Sequence, residues 1–370
     1  MQQRSDRFLK KCAGLALVTL ALVLMPWAAQ WFGNSWVRIL DVALLYVMLA
    51  LGLNIVVGFA GLLDLGYIAF YAVGAYLYGL LASPQLTDNF DWISSAFPAG
   101  LHTSIWIMLP LGALVAALFG VLLGTPTLKL RGDYLAIVTL GFGEIIRIFL
   151  NNLNAPLNIT NGPQGINFID PVRMGSVSFD KPLDVAGVHT GSLVLYYYLF
   201  LVLAILIMVV CMHLQNSRLG RAWTAIREDE TAAKAMGINT RNVKLLAFAL
   251  GASFGGVSGG MFSAFQGFVS PESFGLMESI IILCMVVLGG MGHIPGVILG
   301  ALLLSGFPEF LRQVVTPLQQ DLFGHVLVDA EILRSLIYGL TMILVMLYRP
   351  QGLWPARRGT GRRVAQRGAA

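Results

Sequence analysis

Residues 215–244 read QNSRLGRAWTAIREDETAAKAMGINTRNVK and form the longest charged stretch inside an otherwise apolar chain. Good helix formers and no proline run from Arg221 to Met236, and apolar residues recur there at roughly helical spacing. Gly237 suits the left-handed residue that ends a helix. The stretch carries too much charge to cross a bilayer. It therefore predicts either a short cytoplasmic surface helix available to another protein, or a charged linker that only satisfies the positive-inside rule.

Charge is unevenly spread along this stretch. The bases are Arg218, Arg221, Arg227, Lys234, Arg241 and Lys244, and an acidic triplet of Glu228, Asp229 and Glu230 lies in the middle. Long apolar runs flank the stretch on both sides, so we expect it to lie at the membrane surface between two spans.

The whole chain has the composition of a polytopic membrane protein. Hydrophobic residues make up 57% and charged residues 12% of its 370 residues, whereas a soluble domain carries roughly 25% charged residues. The 41 glycines suit close helix packing in lipid. The net charge of +5 does not indicate nucleic-acid binding, because the bases cluster at predicted membrane edges. The three cysteines show neither disulfide nor metal spacing.

An all-α fold of about ten membrane-spanning helices, each of roughly 20 residues, fits this length. The predicted spans cover residues 13–25, 37–57, 62–82, 105–124, 134–150, 193–213, 245–266, 276–289, 297–314 and 332–348. Lys and Arg concentrate before the first span, in the first inner loop, in 215–244 and in the tail, which places both termini in the cytoplasm. We predict one transmembrane domain over residues 1–350 and a basic cytoplasmic tail over 351–370.

Two predicted regions depart from plain membrane spans. The third segment is rich in glycine and carries an acid, so it is expected to be broken or re-entrant. Residues 151–192 are rich in Asn, Gly and Pro, which indicates an outer loop with short strands or a small helix. The first apolar run also fits a signal peptide cleaved near Ala28, but we favour an uncleaved span followed by an aromatic belt.

Ionisable residues inside predicted spans are functional candidates, because an unpaired charge in hydrocarbon costs about 2.5–3.5 kcal/mol or more. Glu144 and Arg147 share one helix face. They either neutralise one another, or Glu144 faces a pathway near the ammonium group of a zwitterionic solute. Asp64 either caps a broken helix near that pathway or lies in an inner turn. Asp41 and Glu278 lie near predicted span ends and are expected to be interfacial.

The sequence motifs of a phosphate-binding loop and of a zinc protease are missing. No Gly-Lys dipeptide occurs, so the chain has no Walker A loop to hold ATP phosphates. The pattern His-Glu-x-x-His is absent, and the five histidines are scattered without metal-ligand spacing. We therefore predict no catalytic residue, no cofactor and no metal site. If transport through this chain is driven by ATP, another subunit must hydrolyse the ATP.

Residues 126–152, PTLKLRGDYLAIVTLGFGEIIRIFLNN, resemble the signature of the LivM-like permeases of branched-chain amino-acid ABC transporters. Similar family segments are GLNIVVGFAGLLDLGYIAFYAVGAY at 52–76, ITNGPQGI at 159–166, GRAWTAIREDETAAKAMGI at 220–238, GFVSPESF at 267–274 and VVLGGMGHIPG at 286–296. The similarity covers nearly everything from about residue 41 to about residue 348. Several of these motifs are long, which makes the resemblance far more specific than one short motif.

The resemblance implies the ABC importer permease fold and a heteromeric importer in the bacterial inner membrane. Its partners would be a second related permease subunit, two ATP-binding subunits and a periplasmic solute-binding protein. The permease would move branched-chain or other amino acids by alternating access. The outer loop at 151–192 would meet the solute-binding protein.

In the same resemblance, residues 221–237 are the coupling helix that is seated in a cleft of an ATPase subunit. The implied coupling residues are Arg221, Ile226, Arg227, Glu228, Asp229, Glu230, Ala233, Lys234 and Gly237. Glu230 precedes Gly237 by seven residues, whereas the general EAA-x-x-x-G motif of ABC importers has six. This departure leaves the role of Glu230 open, although not the role of the helix.

Other functions remain open at this stage. A permease for urea or short amides would share the same architecture. An ion-coupled secondary transporter would need a coupling-ion site, and no clear buried acid cluster is visible in the sequence. A membrane-embedded enzyme is disfavoured, because no nucleophile or metal constellation is present.

Overall fold

The computed structural model describes residues 19–31, 33–98, 100–130, 132–175, 177–185, 188–323, 329–349 and 352–354. The start of the predicted first span and residues 355–370 of the predicted tail lie outside these residues. The fold is helical, and its helices are numbered here in chain order. They are α1 (Thr19–Gln30), α2 (Asn34–Leu53), α3 (Ile68–Leu81), α4 (Gln85–Asn89), α5 (Asp91–Ala96), α6 (Ile105–Thr127), α7 (Asp133–Asn152), α8 (Ser192–Asn216), α9 (Arg218–Glu228), α10 (Glu230–Ala235), α11 (Thr240–Gln266), α12 (Leu276–Gly289), α13 (Ile294–Phe323) and α14 (Ala330–Tyr348).

Six of the described segments are long and apolar enough to cross a membrane. They are Asn34–Phe59, Ile105–Thr127, Ser192–Asn216, Thr240–Gln266, Pro271–Gly289 and Ile294–Gln319. Thr19–Gln30, Ile68–Leu81 and Ile332–Val345 are shorter apolar helices, and α7 is a twenty-residue helix that carries the predicted Glu144 and Arg147. Every predicted span thus has a helix, at least over its described part. The structure establishes a polytopic protein without fixing ten crossings.

Helix α11 lies at the centre of the fold and packs against α6, α3 and α2. Its small residues allow this close approach, as the sequence predicted for 253–260. A Cβ added to Gly259 would lie 2.1 Å from the Tyr71 carbonyl oxygen, and one added to Gly256 would lie 2.5 Å from the Gly112 carbonyl oxygen. A Cβ added to Gly74 on α3 would likewise lie 2.1 Å from the Gly256 carbonyl oxygen. Backbone therefore touches backbone along both faces of α11.

The third predicted segment is broken, as its composition suggested. Helix α2 ends in a π-helix, Asn54–Phe59, and the backbone then runs without helix until α3 begins at Ile68. Helix α3 has only 14 residues and is about 21 Å long, which is shorter than the roughly 30 Å hydrocarbon core. We call the non-helical segment that connects α2 and its π-helix to α3, residues 60–67, the break.

The predicted outer loop contains two hairpins and one short 3-10 helix, as expected. Its elements are β1 (Arg173–Met174), β2 (Val177–Ser178), β3 (Leu183–Val185), β4 (Val188–Thr190) and the 3-10 helix Gly162–Gln164. Strands β1 and β2 pair antiparallel, as do β3 and β4. An isolated bridge joins Ile166 to Val269, and the Tyr78 hydroxyl donates to the Asp170 carbonyl at 2.8 Å. These contacts hold the loop at one end of the helices, opposite the end at which α9 and α10 lie.

The stripe of glycines on α11 can be tested with a matched pair of substitutions. We expect Gly259→Ala to destabilise the chain by about 1–3 kcal/mol, because the added methyl group meets the Tyr71 backbone. Gly306→Ala on α13 is the control, since nothing lies within 4 Å of its added Cβ. Thermal unfolding in detergent measures both. Equal melting temperatures for the two variants would contradict the proposed close packing.

Candidate functional site

The predicted surface helix at residues 221–237 is divided between two helices, α9 and α10, instead of being a single helix. Asp229 is extended, with φ −156° and ψ 110°, and it separates α9 from α10. Its Oδ1 accepts hydrogen bonds from Thr231 N at 2.7 Å and Ala232 N at 3.0 Å. This is the side-chain capping that starts a new helix. The single-helix prediction was wrong because Asp229 caps the second helix instead of continuing the first.

Local capping hydrogen bonds define both ends of this helix pair. Ser217 Oγ accepts from Leu219 N and Gly220 N at 3.1 and 3.2 Å and so begins α9. Gly237, with φ +83°, ends α10 as the sequence predicted. Gly237 N donates to Lys234 O and Ile238 N donates to Ala233 O, the paired bonds of a Schellman motif.

One face of the helix pair is buried against the membrane-spanning helices. Trp223, Ile226 and Ala233 are buried on this face. The Trp223 indole donates to the Val243 carbonyl at 2.8 Å and stacks on Phe59 with ring centroids 6.4 Å apart. Ile226 and Ala233, which were predicted as coupling residues, are buried against the rest of this chain and help to anchor the helix pair.

Arg227 joins the helix pair to the end of α2. Its Nη1 donates to the carbonyl oxygen of Gly58, within the π-helix. Its side chain lies against Gly61, where an added Cβ would lie 2.7 Å from the Arg227 Cγ. Gly61 also has φ +70°, so this position needs glycine for both space and backbone conformation.

The turn between α12 and α13 also lies against Arg227 and the π-helix. Asn54 Oδ1 accepts from Gly292 N at 2.8 Å, and Gln215 Nε2 donates to Gly292 O at 3.3 Å. A Cβ added to Gly58 would lie 2.0 Å from Asn54 Oδ1. We call this set, Asn54, Gly58, Gly61, Arg227 and Gly292, the hub. Through it, the helix pair touches α2, the break and the α12–α13 turn at once.

Glu230 anchors α10 to the start of α11. Its carboxylate lies 2.7 Å from Lys244 Nζ and 3.3 Å from Lys234 Nζ, and it accepts from the Thr240 hydroxyl at 3.3 Å. Burial works to raise the pKa of Glu230, but the hydrogen bonds and charges of Lys244 and Lys234 together lower that pKa below its ordinary value of 4.5. The carboxylate thus faces inward.

The exposed face of the helix pair is smaller than the predicted coupling set. Arg221, Arg227, Glu228, Asp229, Lys234 and Gly237 are exposed, although Arg227 also contacts Gly58 and the Asp229 side chain caps α10. Sequence reasoning missed Met236, whose side chain is 82% exposed beside the terminal glycine. Sequence reasoning also missed two anchors, Trp223 and Lys244. The signal for Met236 is its position one residue before Gly237, at the exposed tip of a helix.

The pathway candidates Glu144 and Arg147 form an ion pair, with Arg147 Nε 3.0 Å from Glu144 Oε2. Arg147 also lies 3.3 Å from Glu272 on the 3-10 helix Pro271–Phe274. Both members of the pair are partly exposed. Glu144 is therefore neutralised on its own helix and tied to the neighbouring 3-10 helix through Arg147.

The acids of the first described spans are more deeply buried than predicted. Asp64 lies in the break and caps no helix: its Oδ1 accepts from Gly66 N at 2.9 Å. Its Oδ2 is buried and has no hydrogen-bond partner among the described residues. Asp41, expected at an interface, is 0% exposed, and neither of its carboxylate oxygens has such a partner in the described part of the chain.

The described residues also hold little that could perform catalysis. They contain no group of three or more His, Cys, Asp or Glu that could hold a metal ion. Two Gly-x-Ser-x-Gly patterns overlap residues 251–260, but both lie inside α11 rather than on a strand-to-helix turn. Ser253 Oγ and Ser258 Oγ donate to backbone carbonyls of that helix at 2.7 and 2.8 Å.

Comparison with known proteins agrees with this architecture. The family described as branched-chain amino acid transport system, permease component, matches residues 35–346. The high-affinity branched-chain amino acid transport system permease protein LivM of Escherichia coli (strain K12) is 40% identical over 93% of this chain and 75% of its own length. The probable branched-chain amino acid transport permease protein LivM of Methanocaldococcus jannaschii is 25% identical over 91% and 95%.

A second kind of permease is also similar. The high-affinity branched-chain amino acid transport system permease protein LivH of Escherichia coli (strain K12) is 24% identical over 83% of this chain and 90% of its own length. No solved structure matches the chain.

The hub can be tested by hydrogen exchange. We expect Arg227→Ala to speed amide exchange in residues 58–66, because the Gly58 carbonyl loses its donor and the break loses a packed side chain. Arg218→Ala is the matched control, since Arg218 is exposed on the same helix. Mass spectrometry of the chain in nanodiscs measures both. Unchanged protection in the Arg227 variant would show that the hub does not hold the break.

The Glu230 cluster predicts a pH-dependent contribution to stability. A lowered pKa in the folded state means that this contribution is complete above the unfolded pKa near 4.5 and is lost as the pH falls through the folded value. We expect Glu230→Gln to lower the melting temperature at pH 7, and the difference from the unmodified chain to vanish at strongly acidic pH. A difference that stays constant across this range would contradict the ion-pair assignment.

Proposed function

The chain belongs to the family of branched-chain amino acid transport permeases, and from this premise we propose that it is the membrane-spanning subunit of an ATP-driven ABC importer for branched-chain amino acids. The chain is a multi-pass protein of the bacterial inner membrane. The observation that carries the proposal is the family match over residues 35–346, together with a charged helix pair that is anchored to a break in the membrane segment. The chain itself is a transport subunit, and ATP hydrolysis belongs to partner subunits.

The proposed assembly contains this chain, a second related permease, two ATP-binding subunits and a periplasmic solute-binding protein. Similarity to both LivM and LivH of one organism supports a pair of related permeases. The exposed face around Glu228, Lys234 and Met236 is the proposed contact with an ATP-binding subunit, because it combines both charge signs with one exposed apolar side chain. The loop at 151–192 lies at the opposite end and would meet the solute-binding protein.

In this proposal the helix pair is cytoplasmic, both termini are cytoplasmic, and residues 1–350 form one permease domain with about ten spans. The basic segment 351–370 is then a cytoplasmic tail. This orientation places the bases of 215–244 on the side where positive charge is favoured.

The proposed coupling is mechanical. Closure of the ATP-binding subunits displaces the helix pair, and the anchors pass the displacement to two places in the membrane domain. Trp223 and Glu230 contact the start of α11, whereas Arg227 contacts Gly58 at the end of α2. The break next to Gly58 is not held by a continuous ladder of helical hydrogen bonds, so it is the proposed site of the change between outward and inward access.

Asp64, Glu144 and Arg147 remain pathway candidates within this proposal. The buried, unpaired Oδ2 of Asp64 in the break supports a place close to the moving segment. The Glu144–Arg147 pair supports the alternative structural role, since the two charges already neutralise one another. Because Arg147 already neutralises Glu144, this pair does not favour the binding of a coupling ion, which argues against an ion-coupled transporter. A permease for urea or short amides stays the second candidate substrate class.

The proposed coupling surface can be tested in proteoliposomes that contain the complete assembly. We expect vanadate-sensitive, protonophore-resistant leucine uptake. We expect the double variant Glu228→Lys, Met236→Glu to lower it about tenfold or more, the equivalent of roughly 1.4 kcal/mol of lost coupling. Neither side chain anchors the helix pair, so the variant should remain folded.

Arg218→Gln on the same exposed surface is the control for that variant. Uptake in the double variant equal to that of the unmodified assembly, at equal abundance, would contradict the coupling role. Uptake abolished by a protonophore and untouched by vanadate would instead favour a secondary transporter.

A further inference from the structure

A cavity of about 510 Å³ lies between α2, α12, α13 and α14. This volume falls within the roughly 300–1,000 Å³ of small-molecule sites. Ser35, Arg38 and Arg312 are exposed at its mouth, and Met285, Leu304 and Tyr338 are buried at its closed end. The cavity is separate from the hub.

The mouth of the cavity opens at the end of the fold that carries the predicted outer loop. Arg38 Nη2 donates to Gln266 Oε1 at 3.0 Å, and Gln266 ends α11 just before the segment that bridges Ile166. The hub contacts the opposite end of α2, at Gly58. A solute delivered from the outer side would therefore meet the mouth first.

Proline shapes one wall of the cavity. Pro308 lies inside α13 and has no N–H to donate to the carbonyl of Leu304, four residues earlier. The Tyr338 hydroxyl on α14 donates to that carbonyl at 2.6 Å instead. This bond fixes α14 against α13 and satisfies a buried backbone oxygen. It therefore holds the residues at the closed end of the cavity in place.

The charged groups of the cavity include both signs. Arg312 Nη2 lies 2.8 Å from Glu309 Oε1 at the mouth. Tyr46 and Arg334 also line the cavity, and the Tyr46 hydroxyl donates to Glu278 Oε2, outside the lining, at 2.8 Å. Three guanidinium groups, those of Arg38, Arg312 and Arg334, therefore line the cavity together with one carboxylate, that of Glu309. This balance suits a ligand that carries an anionic and a cationic group together, with a slight preference for the anion.

The remaining walls are aliphatic. Ile39 and Val42 on α2 face Ile281 and Met285 on α12 across the cavity. Met285 and Ile281 are almost fully buried, so the closed end of the cavity has an apolar surface. A short branched aliphatic side chain matches this apolar surface.

We propose that this cavity binds a free zwitterionic aliphatic amino acid within the permease itself. The arginines hold its carboxylate, Glu309 attracts its ammonium group, and the aliphatic walls hold its side chain. The inference rests on the proposed function and deepens it, because the cavity assigns the transported solute a site on this chain. Urea, which is neutral and has no aliphatic part, would leave both the charges and the apolar walls unmatched.

Direct binding tests the proposal without relying on transport. The assembly is reconstituted in nanodiscs without the solute-binding protein, and equilibrium binding of radiolabelled leucine is measured. We expect Val42→Phe, which fills the cavity, and Glu309→Gln each to weaken binding about tenfold or more, as expected for a lost buried contact or charged hydrogen bond. Leu302→Phe is the matched control, because Leu302 is 43% exposed on the outside of α13.

A diazirine analogue of leucine locates the site independently. We expect it to cross-link peptides that contain Ile39, Ile281 or Leu304, and we expect leucine and valine but not urea to compete. Cross-links confined to other helices would overturn the proposal, as would leucine binding by Val42→Phe equal to that of the unmodified assembly. A phospholipid found in the cavity by mass spectrometry and not displaced by excess leucine would also overturn it.

The outcomes separate this proposal from the proposed function. Vanadate-sensitive leucine uptake that persists in Val42→Phe would leave the importer standing and remove the cavity site. Leucine binding that Val42→Phe abolishes, in an assembly that shows no ATP-dependent uptake, would keep the cavity site and remove the ATP-driven importer.

Discussion

The structure depends on how the backbone of the break is satisfied where helical hydrogen bonds are missing. Irregular backbone at membrane depth is tolerated only where protein groups supply its hydrogen bonds. Here Thr139 Oγ1 accepts from Leu65 N at 3.1 Å, Asp64 accepts from Gly66 N, and Arg227 donates to the Gly58 carbonyl. The break is therefore supported by α7 on one side and by a charged helix outside the membrane segment on the other.

That support requires the helices around the break to approach closely. Tyr67 at the end of the break donates from its hydroxyl to the Gly251 carbonyl at 3.1 Å. Glycine on α2 leaves room for this hydroxyl, because a Cβ added to Gly52 would lie 2.0 Å from it. A Cβ on Gly66 would lie 2.0 Å from the Thr139 carbonyl oxygen. Small residues thus place donors and acceptors within reach of a backbone that has no helix of its own. The contacts of Arg227 with Gly58 and Gly61 in the hub depend on the same close packing.

Much of the fold could be predicted from sequence because its signals are local. Gly237 ends α10, the glycines of α11 form a contact face, and the long apolar runs form helices close to their predicted bounds. The role of Glu230 could not be predicted, since it depends on where Lys244 on the next helix lies in space. The burial of Asp41 was missed for the same reason: its distance from a span end says nothing about which neighbours cover it.

The interruption at Asp229 has a mechanical consequence. Arg227 on α9 fixes the helix pair to Gly58 just beyond α2, whereas Trp223 on α9 and Glu230 on α10 both fix it to the start of α11. A displacement that turns the helix pair about its contacts with α11 would move the end of α2 relative to α11 instead of shifting the domain as a block. A single continuous helix would pass on one rigid movement. Because Asp229 separates α9 from α10, the two helices can move relative to one another, and one external movement can become sliding of α2 against α11.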